Sequence, residues 1–150
     1  MGAIERLHGK IVFVDTAPFI YHIEEVGEYR ETLHDFFTAL DEGHIRAVTS
    51  VVTMMEVLVK PYRLKLNDLV FRFENAILNK MFIEVVAINL EIAKLAAHIR
   101  SESKTALADA IQLASADYYN AAFFLTNDKR IRQVTNAKIV CLDDLDTGNF

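Results

Sequence analysis

The sequence predicts a three-layer α/β/α sandwich around a central parallel sheet of four to five strands. Two observations lead there. Short, near-continuous apolar runs alternate along the whole chain with longer segments of helical periodicity. Those runs lack the in-out alternation of a sheet with one wet face, so each strand is expected to be covered on both sides, as in a parallel sheet. Repeats, low-complexity tracts and linkers are absent, and residues 1–150 read as a single domain.

The elements follow in order. IVFVD (11–15) is a buried-strand run, after which Thr16 and Pro18 suit a helix start. Residues 29–42 place Leu33, Phe36, Phe37 and Leu40 on one helical face, with Gly43 as the stop. IRAVTS (45–50) is a second strand, and the helix through Met54 and Leu58 is expected to end before Pro61. A helix over 67–79, a strand over 83–88 and a helix capped by Asn89 come next. Residues 105–119 form a further helix, and 121–126 and 137–142 the last two strands.

Composition narrows the function classes. Hydrophobic residues at 52% and charged residues at 25% exclude a disordered polyelectrolyte. Asp15, Glu56 and Glu84 break the greasiest stretches, so no membrane span is expected. MGAIERLHGK has no signal-type apolar region, and the lone Cys141 excludes an intrachain disulfide; the expected location is cytoplasmic. The net charge of −5 disfavours extended duplex binding, an objection that weakens where acids are neutralised by bound cations.

Four acids stand where an apolar element meets a turn or helix: Asp15, Glu56, Asp109 and Asp128. Asp15 and Asp128 follow the first and fourth strands, the end at which open α/β sheets bind ligands. Both also suit a helix N-cap, Asp128 with Lys129 to Val134 as its short helix. Glu56 fits a capping box with Thr53, but Thr49 and Ser50 offer an earlier cap that would leave Glu56 in the second turn. Asp109 lies on a helix that is apolar nearly all round apart from Gln112 and Ser115, where a buried acid must be paired, hydrogen-bonded or metal-bound. Acids gathered at one end of a sheet repel one another unless a divalent cation joins them, which points to metal-assisted phosphodiester cleavage. Phosphate-binding glycine loops, a nucleophile elbow and zinc spacings are absent.

These residues resemble the PIN domain, and in size and layout a VapC-type toxin ribonuclease. The resemblance runs from about residue 11 to 142 and rests on VDTAPFIY, TSVVTMMEVLV, LADAIQLASA and LTND. It implies that Asp15, Glu56, Asp109 and Asp128 hold Mg²⁺ or Mn²⁺ and serve catalysis, with Thr126 and Thr16 supporting them. Ala17 stands where many members carry Asn or Ser. Asn127, Lys129 and Arg130 are candidates for the substrate phosphate, against a solvated-face reading. The resemblance further implies an RNA substrate, a homodimer and a small antitoxin protein. Phe19, Ile20, Tyr21 and Phe71 are candidates for an interface or, as the simpler reading, core. The alternative function is a PIN-like RNA-processing or binding module with no catalytic role. Receiver domains want an acid pair after strand one and haloacid-type phosphatases want Asp-x-Asp; the single Asp15 followed by Thr16-Ala17 suits neither.

Overall fold

Strand β1 (Ile11–Val14) runs through the middle of the protein because its side chains leave no face for water. Val12, Phe13 and Val14 are fully buried. In the computed structural model, which describes residues 2–150, it is flanked by β2 (Arg46–Ser50) and β4 (Phe123–Thr126), with β3 (Ile83–Val86) and β5 (Lys138–Cys141) at the edges. The order is β3-β2-β1-β4-β5, and all four pairings are parallel. Register follows the apolar runs: Phe13 lies opposite Phe124 on β4 and Val48 on β2.

Alternation along β1 divides the core into two layers. Val12 and Val14 pack with α1 (Thr16–Glu24), α2 (Arg30–Asp41), α3 (Val51–Arg63) and α4 (Asn67–Leu78), through Phe19, Leu33, Phe36, Val57 and Phe73. Phe13 faces the other way, stacked on Phe124 at 5.2 Å and covered by Leu113 and Ala116 of α6 (Leu107–Tyr118). Each such side chain contributes about 1.5–3 kcal/mol by leaving water. Ala110 and Ala114 of α6 meet Ile92 and Ala96 of α5 (Leu90–Glu102), small residues that let these two helices approach closely.

Most predicted elements are present with ends shifted by a few residues. Gly43 stops α2 at φ +79°, and a Cβ there would lie 2.9 Å from the Phe82 ring, so the turn requires glycine. Asn89 caps α5, its Oδ1 accepting from the Ile92 amide at 2.9 Å.

Three expectations are corrected, and one helix is added to the predicted elements. Helix α3 continues through Pro61 to Arg63, since Pro61 is buried in the last turn and removes only one backbone donor. Residues 129–134 form no helix; Asp128 closes a turn instead. The tail carries α7 (Leu142–Thr147), whose Leu142 and Leu145 are buried. Its acids Asp143 and Asp144 are half-buried: Asp143 accepts from the Tyr29 hydroxyl, and Asp144 from the Cys141 amide at 3.4 Å. Finally, Phe19 is core, but Phe71 is 67% exposed and is not. No helix is long and apolar enough to cross a membrane among the described residues.

Candidate active site

The strand order fixes where a crevice must open. The chain moves from β1 to β2 on one side and from β4 to β5 on the other, while β1 and β4 are neighbours. Their carboxyl ends therefore flank the point where connections diverge. Asp15 follows β1 and Asp128 lies two residues beyond β4. A cleft of about 520 Å³ at this point is lined by all four acids together with Thr16, Thr126, Asn127 and Arg130.

Asp15 occupies the N-cap position of α1, yet its side chain makes no cap hydrogen bond to the helix. It is held from the core side instead. Thr126 Oγ1 donates to its Oδ2 at 2.8 Å, and Gln112 Nε2 approaches its Oδ1 at 3.4 Å. Thr126 Oγ1 also accepts from the Asp128 amide at 3.0 Å, so one buried hydroxyl joins the two strand-end acids. Burial raises the Asp15 pKa above the usual carboxylate value. Hydrogen bonds from the Thr16 amide, Thr126 and Gln112 oppose that rise, and the charge of Asp128 adds to it.

Glu56 reaches the cleft because α3 begins early. Ser50 Oγ accepts from the Val52 amide at 3.1 Å, which places Glu56 beyond the first turn and frees it from capping. Its exposed carboxylate accepts from Thr16 Oγ1 at 2.9 Å. Thr16 and Thr126 thus orient one acid each.

Asp109 differs from expectation. It lies in the first turn of α6, half-buried at the cleft rather than enclosed, with Leu107 beside it 59% exposed. Its pKa is raised by desolvation first and then by the charges of Asp15, Asp128 and Glu56, with only Arg130 opposing. Three negative neighbours act on it at once.

Asp128 has already found a cation. Its Oδ1 accepts from the Arg130 amide at 2.9 Å and from Nε at 3.0 Å, and its Oδ2 from Nη2 at 2.9 Å. The guanidinium holds its carboxyl below the ordinary value. Lys129 turns away from the cleft to pair with Asp143 of α7, so of the three phosphate candidates only Asn127 and Arg130 line the cleft. Asn127 Nδ2 donates to the Tyr21 hydroxyl at 3.1 Å.

The donors facing the cleft are carboxylate, hydroxyl and amide oxygens, a set suited to a hard divalent cation. Among the described residues, no group of three His, Cys, Asp or Glu side chains is arranged to hold an ion as it stands. The chemistry fits; the arrangement is open, with Glu56 exposed and Asp128 engaged by Arg130. Sequence reading overlooked two residues. Gln112 is buried behind Asp15, and its signal was a second polar residue one turn after Asp109 on an apolar helix. Tyr21 also lines the cleft.

The fold and the acid-lined crevice define a PIN-like α/β/α protein. The chain belongs to the PIN domain family, whose model matches residues 12–137. Solved structures of this fold include VapBC2 from Rickettsia felis bound to a promoter DNA fragment, with 13% identity and a TM-score of 0.71 over 87% of this chain and 98% of that one. A toxin–antitoxin complex from Klebsiella pneumoniae aligns at 23% identity and TM-score 0.65, covering 87% and 97%. VapC20 from Mycobacterium tuberculosis, described as a sarcin-ricin loop cleaving toxin, aligns at 12% and 0.61, covering 93% and 95%. No curated protein sequence matches the chain significantly.

Proposed function

We propose that this protein is a Mg²⁺- or Mn²⁺-dependent endoribonuclease, the toxin of a toxin–antitoxin pair. The observation that carries the reading is the convergence of Asp15, Glu56, Asp109 and Asp128 on one cleft, with Asp15 and Asp109 both made harder to ionise. Like charges placed together without a counter-ion destabilise the fold, and a divalent cation relieves that cost. Membership of the PIN family supports nuclease chemistry. Likeness in fold to toxin–antitoxin structures supports the toxin role and a small antitoxin partner.

In this reading Asp15 and Asp109 would hold the ion, with Glu56 and Asp128 beside them at the same cleft. Bound there, the ion would acidify a water and offset charge on the leaving oxygen. The protein supplies the positioning. Thr126 fixes Oδ2 of Asp15, and Thr16 fixes Oε1 of Glu56. Asn127 and Arg130 place an amide and a guanidinium at the rim, donors suited to non-bridging phosphate oxygens. Arg130 can leave Asp128 for a phosphate because its guanidinium is solvent-exposed and a phosphate offers it the same two-oxygen geometry.

A homodimer is supported by the exposed apolar stripe Val51, Met55, Val59 and Tyr62 on α3. The test of the enzyme reading is cleavage of RNA by the wild type and Asp109→Asn, with and without Mn²⁺. Cleavage only by the wild type with the ion is expected. Equal activity of the variant removes Asp109 from the mechanism, and no cleavage by the wild type with Mn²⁺ favours a non-catalytic binding module.

A further inference from the structure

We infer that Gln112 is a positioning residue that sets the orientation of Asp15 and locks together the elements bearing three of the four acids. Gln112 is a polar side chain only 1% exposed, in the middle of an otherwise apolar helix. A buried primary amide must satisfy a donor and an acceptor, and this one does so across three elements. Its Oε1 accepts from Ser50 Oγ at the start of α3. Its Nε2 donates to Thr53 Oγ1 at 2.7 Å and approaches Asp15 Oδ1 at 3.4 Å. Thr53 in turn bonds Thr49 Oγ1 at 2.7 Å, and Thr49 donates to the Val14 carbonyl at 2.8 Å. The chain of hydrogen bonds therefore returns to the end of β1, one residue before Asp15.

Spacing ties this network to the acids. Gln112 stands three residues after Asp109, and Thr53 three residues before Glu56, so these two members each lie one helical turn from an acid. A core apolar residue would fill the same volume without fixing the direction of Asp15. With Thr126 on the other oxygen, Gln112 leaves the carboxylate one orientation at the cleft.

This inference rests on the acids forming the proposed divalent site, and the experiment separates the two. Mn²⁺ affinity by calorimetry, Tm, and kcat and KM for RNA are measured for the wild type, Asp15→Asn, Gln112→Met, Gln112→Asn and Asp15→Asn/Gln112→Met. Gln112→Met and Gln112→Asn are expected to weaken Mn²⁺ binding about 10- to 100-fold, the range seen when a partner behind a metal ligand is lost. They should lower kcat with KM unchanged, and Gln112→Met should add nothing to Asp15→Asn. A fall in Tm with Mn²⁺ affinity unchanged overturns the positioning role, as does full additivity in the double variant. Should Gln112→Met fail to fold, Gln112→Asn, which keeps a polar amide but shortens its reach, decides alone. Failure of the wild type to bind Mn²⁺ overturns the site itself, an outcome distinct from wild-type binding that Gln112 variants leave intact.

Discussion

Arg130 grips both carboxylate oxygens of Asp128, two residues earlier, with Nε 3.0 Å from one and Nη2 2.9 Å from the other. A monovalent cation supplied by the chain thus sits on Asp128, whose pKa is lowered, while Asp15 and Asp109 have raised values. Metal and guanidinium must compete for Asp128. Arg130→Ala is therefore expected to tighten Mn²⁺ binding roughly two- to fivefold, the scale of an exposed ion pair. It should also raise KM for RNA if Arg130 meets the phosphate. Titration calorimetry at low and high salt checks the first effect, which should shrink as salt rises. Weaker Mn²⁺ binding in the variant would mean that Arg130 supports the site instead of competing for it.

Raised acid pKa values make the metal-free protein a worse fold as pH rises. An acid whose folded pKa exceeds its unfolded one binds more protons when folded, so stability is lost between the unfolded value, 3.8 for both Asp15 and Asp109, and the higher folded value. Asp109→Asn removes one repelled charge. It should stabilise the metal-free protein at neutral pH by roughly 0.5 kcal/mol, a figure reduced because Asp109 is half exposed, or about 1–2 °C in Tm. The same variant should lose the Tm rise that Mn²⁺ gives the wild type. Thermal melts with chelator and with Mn²⁺ across mildly acid to neutral pH check both signs. A lower Tm for the chelated variant would mean that Asp109 is stabilised by a partner and not strained by its neighbours.

The acids at strand ends were legible because position alone places them: a residue just past β1 or β4 has nowhere to point but the crevice. Glu56 was legible through Ser50, whose earlier cap leaves a carboxylate in the second turn with no helix terminus to serve. Asp109 was found for a reason only half right. The apolar stripe of α6 is buried from Ala110 onward, but the first turn emerges at the cleft, and periodicity cannot say where along a helix the protein ends. Lys129 and Arg130 are both candidates for the substrate phosphate in the sequence, yet these adjacent side chains diverge, one to Asp143 of α7 and one to Asp128. That separation depends on α7, a short helix that follows the last strand. Gln112 was invisible in role because its partners Ser50, Thr53 and Asp15 are 59 to 97 positions away in sequence.

Thr126 should be more sensitive than its size suggests. It is fully buried, donates to Asp15 and accepts from the Asp128 amide. Thr126→Val keeps the volume but leaves that amide and one carboxylate oxygen without their partner, a cost of about 1–3 kcal/mol. Thr126→Ser keeps the hydroxyl and should lose only a methyl's packing, about 1 kcal/mol. Denaturant unfolding of both variants distinguishes the cases, and Mn²⁺ affinity should fall in the valine variant alone. Equal losses of affinity would show that packing at this position matters and the hydroxyl does not.

Helix α3 presents Val51, Met55, Val59 and Tyr62 at intervals of four, four and three residues, a single stripe between 43% and 61% exposed. The stripe is left partly open to water, and apolar side chains gathered on one face favour association. Because Glu56 follows Met55 directly, a two-fold interface along α3 would bring the two clefts close to one another. The wild type is expected to be dimeric at micromolar concentration by light scattering, and Met55→Glu/Val59→Glu monomeric. Both changes are at exposed sites, so the monomer should keep its fold and its Mn²⁺ binding. A double variant that stays dimeric would place the subunit contact elsewhere, with exposed Phe71 on α4 the next surface to alter.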